Sequence, residues 1–206
     1  MLDSIMRRAL DPSLNRAGRV LAGRGMHANH ITLIGLALGL LAAGLIGWGV
    51  SGWIAMIPLL SSRVADGLDG AVARASNITD FGGYLDIVCD FIFYGAIPLA
   101  FVLRDPTGNG VAGAFLLTAF YANGASFLSF AILAEKRGLQ TDTRGVKSLY
   151  FTAGLMEGTE TIAFFVILCI WPNFFAPLGW VFGALCFATA FARIALAWRV
   201  FGKKHG

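Results

Sequence analysis

Six stretches of the chain, about 30–50, 53–74, 81–103, 111–134, 150–171 and 178–200, are each apolar over close to the ~20 residues that a helix needs to cross a bilayer. Hydrocarbon offers a backbone N–H or C=O no partner, so a segment of this kind must satisfy those groups internally as a helix. Composition agrees. The 206 residues are 57% hydrophobic and 14% charged, with a mean hydropathy of +0.71, too apolar for a soluble domain of this size. The expected fold is all-α: a polytopic membrane protein with six transmembrane helices. Cys89, Cys169 and Cys186 fall in apolar segments without metal-like spacing and read as buried thiols outside any disulfide framework. The first 25 residues mix apolar and charged side chains, so no cleavable signal peptide is expected.

Residues 1–26 interleave Arg7, Arg8, Arg16, Arg19 and Arg24 with Leu2, Ile5, Met6, Leu10, Leu14, Val20 and Leu21. That pattern suits an interfacial amphipathic helix on an anionic leaflet, broken near Pro12. A solvated basic tail is the alternative. The chain thus divides into a juxtamembrane segment, 1–26, and a six-helix membrane domain, 27–206. Placing the amino terminus in the cytoplasm also puts Lys136, Arg137, Arg144, Lys147, Arg199, Lys203 and Lys204 there and leaves Arg104 outside, as the excess of Lys and Arg in cytoplasmic loops requires. Both termini are then cytoplasmic. Gly35, Gly39, Ala43 and Gly47 recur every fourth residue in the first span and read as a stripe for close helix packing. Pro58 and Pro98 are expected to kink the second and third spans.

Within this apolar background stand four aspartates. Asp66 and Asp69 are three apart and Asp86 and Asp90 four apart, so each pair shares one helix face and the two faces can meet across a short connection. Unpaired carboxylates at membrane depth each cost several kcal/mol or more, so they must be protonated, ion-paired or wrapped around a metal. Oxygen ligands without His or Cys favour a hard divalent ion, Mg²⁺ or Mn²⁺. Gly67, Gly70, Ala71, Ala73, Gly82 and Gly83 leave room for a bulky ligand near the backbone, and Arg74 adds a planar cation suited to phosphate.

Asp66-x-x-Asp69-Gly70-x-x-Ala73-Arg74 followed by Gly82-x-x-x-Asp86-x-x-x-Asp90 resembles the signature of the CDP-alcohol phosphotransferases, membrane enzymes of phospholipid synthesis. All eight signature positions carry the family residue. Seven residues, rather than the family's usual eight, separate Arg74 from Gly82, and the shortening is placed in the connection between helices, where length is best tolerated. The resemblance implies that Asp66, Asp69, Asp86 and Asp90 hold one or two divalent ions, Mg²⁺ or Mn²⁺, with Asp90 also the general base. It implies that Gly70 and Arg74 contact the pyrophosphate and nucleotide of CDP-diacylglycerol, and that Asn29, Thr32 and Thr79 contact the donor. Capping of a helix start is the rival role for Asn29 and for Thr79. The implied reaction is attack by a small polar alcohol on the lipid-bearing phosphate, with release of CMP.

Elementary chemistry points the same way, because displacement at phosphorus needs charge neutralisation at the phosphoryl oxygens and a base for the incoming hydroxyl. An intramembrane ion-pair network is the bland alternative, for which Arg63, Arg74 and Arg193 are few against six intramembrane acids. A cation channel or transporter lined by these acids is an alternative of another class, and it leaves Arg74 and the glycine register unexplained. A catalytically dead lipid-binding relative is a third, opposed by the intact signature. For the acceptor site, Arg137, Arg144 and Lys147 suit an anionic alcohol, whereas Glu157 and Glu160 suit polyol hydroxyls or an ammonium group. Glycerol 3-phosphate is the first choice, with inositol, inositol phosphate, serine or choline as alternatives. The further expectations are a homodimer in a bacterial inner membrane, an active site on its cytoplasmic side, and no nucleic-acid partner.

Overall fold

The computed structural model describes residues 3–138, 156 and 158–202. Seven α-helices account for nearly all of them, and no strand occurs among the described residues: α1 Asp3–Gly23, α2 Ala28–Gly47, α3 Gly52–Ala75, α4 Asp80–Arg104, α5 Pro106–Lys136, α6 Gly158–Ile170 and α7 Phe175–Phe201. A single 3₁₀ turn, Pro172–Phe174, precedes α7. By length and composition α2, α4, α5 and the stretch from Pro172 to Phe201 can each cross a membrane. Helix α3 has the length, 24 residues, and carries Arg63, Asp66, Asp69 and Arg74, while the described part of α6 has 13 apolar residues. The chain is therefore an all-α integral membrane protein, and six spans are consistent with these helices.

The breaks between helices have local causes. After α2 the backbone reverses at Gly49, whose φ of 76° belongs to the left-handed region, and Gly49 and Val50 donate back to Ile46 O and Leu45 O at 2.9 and 3.0 Å. Asp105 alone separates α4 from α5. Its carboxylate accepts from Gly108 N at 3.0 Å and Pro106 follows it, so one residue ends one helix and caps the next. Pro12 does not break α1, which runs through it. The helix loses one backbone hydrogen bond there, a cost that packing against α3 offsets. Helices α3 and α4 likewise continue through Pro58 and Pro98.

Helix α2 packs against both α3 and α4, α5 packs against α4 and α7, and α1 lies on α3. The small-residue stripe of α2 makes these contacts. A Cβ on Gly35 would meet Ala65 Cβ at 3.3 Å, one on Gly39 would meet the Phe93 ring at 2.5 Å, and one on Gly47 would meet Ala100 O at 3.7 Å. The stripe thus serves packing within the chain. The main core joins Ile46, Leu59, Phe93, Ile97, Phe101, Leu116, Phe165 and Leu168, all at most 1% exposed, from five helices. Large apolar side chains such as Ile57, Val111 and Ile132 face outward, as the surface of a lipid-embedded bundle requires. Because α2, α3 and α4 alternate in direction through short connections, the start of α2, the end of α3 and the start of α4 meet at one end of the bundle. All four signature aspartates are there.

Candidate active site

The end of α3 and the start of α4 are joined by four residues, Ser76 to Thr79. Thr79 caps α4, its Oγ1 accepting from Gly82 N at 3.0 Å, so the capping role foreseen for it is present. Asn29 does not cap α2. His27 occupies that position, without a side-chain bond, and Asn29 turns its carboxamide toward Gly82. A Cβ on Gly82 would stand 3.0 Å from Thr79 Oγ1 and 3.2 Å from Asn29 Oδ1, whereas one on Gly83 would meet nothing within 4 Å. The spatial constraint falls on Gly82, the glycine that the carboxylate spacing selects.

These residues border a cavity of about 240 Å³. Asn29, Thr32, Gly70, Arg74 and Thr79, expected from the sequence to touch the donor, all line it, together with Asp69 and Asp86. Not every small residue of the signature region does so. Gly67 and Ala71 face α1: a Cβ on Gly67 would lie 2.8 Å from Leu14, and one on Gly18 would lie 2.7 Å from Ala71. Their smallness admits α1, not a ligand. Helix α1 also supplies a partner for the signature arginine, since Arg74 donates to Asn15 Oδ1 at 2.9 Å.

The four carboxylates divide three to one. Asp66, Asp86 and Asp90 offer oxygens that all lie within 4.8 Å of one another. Asp69 is 5% exposed and accepts a 2.6 Å bond from the Thr32 hydroxyl across the α2–α3 contact, so the four carboxylates stand as three clustered groups with a fourth beside them at the cavity. Mg²⁺–O bonds are about 2.1 Å, so the donors of one ion stand within about 4.2 Å of each other, and oxygens within 4.8 Å need to close by only roughly half an ångström to hold one. All three donors are carboxylate oxygens, and they come from two rigid helices.

Arg63, one turn before Asp66, was not singled out for the site by its sequence context. Its Nη1 lies 2.8 Å from Asp90 Oδ1 and 3.6 Å from Asp66 Oδ1. Part of the ion-pair alternative is therefore real, with α3 linked to α4 through a guanidinium. The i, i+3 spacing to Asp66 was legible, but the reach to Asp90 required the packing of two helices. Asn15 and Asn77 were also missed; each is an ordinary polar residue in a polar neighbourhood.

Of the acceptor candidates, Arg144, Lys147 and Glu157 lie outside the described residues. Glu160 is in the first turn of α6. Arg137 donates to Val200 O at 3.2 Å and Phe201 O at 3.0 Å and sits over the Phe201 ring, so its guanidinium closes the carboxyl end of α7.

The sequence pattern of CDP-alcohol phosphatidyltransferases matches residues 25–199. The chain is 44% identical over 194 residues to the inner membrane protein YnjF of Escherichia coli, covering 94% of each. It is 29% identical over 182 residues to the archaetidylinositol phosphate synthase of Pyrococcus horikoshii, covering 84% of this chain and 93% of that one. Its fold matches the crystal structure of Mycobacterium tuberculosis phosphatidylinositol phosphate synthase (PgsA1) with CDP-DAG bound, with a TM-score of 0.66 at 22% identity, over 90% of this chain and 93% of that one. With the signature aspartates gathered at one end of such a bundle beside a lined cavity, the chain belongs to the CDP-alcohol phosphatidyltransferase family and is a transferase of phospholipid synthesis.

Proposed function

We propose that the enzyme transfers the phosphatidyl group of CDP-diacylglycerol to the hydroxyl of a phosphorylated polyol and releases CMP. The observation that carries this reading is the position of the carboxylate cluster at the edge of a cavity lined by Asn29, Thr32, Gly70, Arg74 and Thr79. Arg74 binds the pyrophosphate, Gly70 and Gly82 let it approach the helix backbone, and Asn29, Thr32 and Thr79 orient the nucleotide. Asp66, Asp69, Asp86 and Asp90 would hold one or two ions of Mg²⁺ or Mn²⁺, Asp69 keeping its Thr32 bond on Oδ2 and offering its other oxygen. A bound ion supplies charge neutralisation at the phosphoryl oxygens. Asp90 takes the proton from the attacking hydroxyl, whose oxygen bonds to the lipid-bearing phosphorus as the bond to CMP breaks.

For the acceptor, a phosphate ester is favoured by the basic residues Arg144 and Lys147, with Glu157 and Glu160 on the polyol hydroxyls. Two relatives bear the names of inositol phosphate lipid synthases, which supports inositol phosphate beside glycerol 3-phosphate. The enzyme works as a homodimer in an inner membrane, with residues 1–26 along the cytoplasmic interface and residues 27–206 as the membrane domain. The loop charges support the cytoplasmic placement of the site.

The test is CMP release by purified protein from CDP-diacylglycerol with glycerol 3-phosphate, inositol phosphate, inositol, serine or choline, with and without a chelator. Release with a phosphorylated polyol, abolished by chelation, is expected. Release only with an uncharged or amino alcohol overturns the acceptor class. Cation flux through vesicles without CMP release from any acceptor overturns the enzyme reading.

A further inference from the structure

We infer that Arg63 is a resident counter-ion of the carboxylate cluster, a positioning residue that orients Asp90 and Asp66 and weakens the grip of the same oxygens on a divalent ion. The inference rests on the metal-holding role proposed above for these aspartates.

A long cationic side chain in a membrane helix normally extends its head toward the interface. Arg63 does not. Its side chain is 11% exposed, and its guanidinium carbon lies 3.8 Å from the centroid of the Phe93 ring. Nη2 donates to Ser62 Oγ at 3.1 Å, and that hydroxyl in turn donates to Gly35 O at 2.7 Å. Phe93 itself is fully buried, wedged against Gly39 of α2 and in edge contact with Phe165 of α6. The guanidinium is thus held by an aromatic face and a hydroxyl, neither of which is an expected metal ligand. From that fixed seat Nη1 reaches Asp90 on α4 at 2.8 Å and Asp66 on α3 at 3.6 Å.

A cation anchored independently of the cluster remains beside it when a divalent ion arrives. Two consequences follow. Without an ion, Arg63 offsets the mutual repulsion of the carboxylates and keeps Asp90 bonded across the α3–α4 contact. With an ion, like charge only a few ångströms away, in a medium of reduced dielectric, lowers affinity. Removing the guanidinium should therefore strengthen metal binding, whereas loss of an ordinary structural side chain would disorder the ligands and weaken it.

The experiment measures Mn²⁺ binding to the purified full chain in detergent by calorimetry or by the free-ion electron spin resonance signal, alongside thermal unfolding with and without Mn²⁺. Arg63→Gln and Arg63→Met, the latter keeping an apolar stem on Phe93, are expected to bind Mn²⁺ about tenfold or more tighter than wild type. Both should unfold at lower temperature without the ion and gain more from its addition. Arg63→Lys, which keeps the charge, should stay within about threefold of wild-type affinity. Wild type binding Mn²⁺ while Gln and Met variants bind it equally or more weakly overturns the role of Arg63 alone. Variants that cannot be recovered folded even with the ion present overturn it as well, because packing rather than charge would then be the need. No Mn²⁺ binding by wild type at millimolar concentration overturns the metal-holding role of the aspartates and this inference with it.

Discussion

Arg74 and Asn15 are bonded at 2.9 Å, which ties the signature arginine at the end of α3 to the middle of α1. Helix α1 therefore helps to aim a side chain that lines the cavity. Asn15→Ala frees the guanidinium without removing it, so the KM for CDP-diacylglycerol should rise a few-fold with kcat nearly unchanged, about 0.5–1.5 kcal/mol for one hydrogen bond. Arg74→Lys should cost more, since a point charge cannot reproduce the planar fork. Initial rates of CMP release over a range of donor concentrations separate the two, and an unchanged donor dependence in Arg74→Lys removes that residue from the site.

The base role proposed for Asp90 should separate from the metal-holding role that it would share with the other three aspartates when binding is measured apart from turnover. Asp90→Asn keeps the shape but cannot accept a proton, so single-turnover CMP release should fall by about 10²–10⁴-fold. Provided the remaining three carboxylates still hold enough metal to seat the pyrophosphate, donor binding should fall less than in Asp66→Asn or Asp69→Asn, because losing a base affects the transition state whereas losing a metal site affects the bound donor as well. Substantial turnover by Asp90→Asn defeats the general-base role.

Gly39 should be the least replaceable residue of the α2 stripe. A Cβ there would stand 2.5 Å from the Phe93 ring and 3.1 Å from Ser62 Oγ, so Gly39→Val must part α2 from α4, at about 1–3 kcal/mol for overpacking. Gly44 has nothing within 4 Å of such an atom, and Gly44→Ala should leave the melting temperature unchanged or slightly raised. Thermal unfolding in detergent compares them. Equal tolerance at both positions would mean that α2 and α4 do not meet as described.

Arg137 and the basic residues after it should part company. Arg137 closes the end of α7 through Val200 O and Phe201 O, so Arg137→Ala should lower the melting temperature by a few degrees and leave the acceptor KM alone. Arg144→Ala and Lys147→Ala should raise the acceptor KM if the acceptor is a phosphate ester. Acceptor titrations at saturating donor decide the matter, and no effect from either loop substitution reduces those charges to a topology signal.

The part of the site legible in the sequence is the part written in short-range spacing. Asp66 with Asp69 and Asp86 with Asp90 follow from helical periodicity, as does the stripe from Gly35 to Gly47, and the residues expected to touch the donor fall together around one cavity because a four-residue connection leaves the two helix ends little freedom. What escaped depended on which helix lies against which. Gly67 and Gly70 look alike along the chain, yet one accommodates Leu14 and the other borders the cavity. Asn15 meets Arg74 across 59 positions, and Arg63 meets Asp90 across 27, separations for which no periodicity speaks. Asp69 parts from the other three because Thr32 stands opposite it on α2, again a matter of packing. Pro12 misled for a related reason, since a proline breaks an isolated helix more readily than one laid along another.

The cavity and the carboxylates draw on residues 28 to 90, from α2, α3, α4 and the connection between α3 and α4. Among the described residues, helices α5, α6 and α7 contribute core packing but no residue to that wall. The chain is in this sense modular along its length: a front portion that is tightly constrained by the chemistry, and a rear portion whose outline can drift so long as Phe165 and Leu168 still fill the space behind Phe93. Because Arg144, Lys147, Glu157 and Glu160, proposed above for the acceptor, all belong to the rear portion, exchanging it between relatives should change the acceptor alcohol and leave the cavity of the front portion intact.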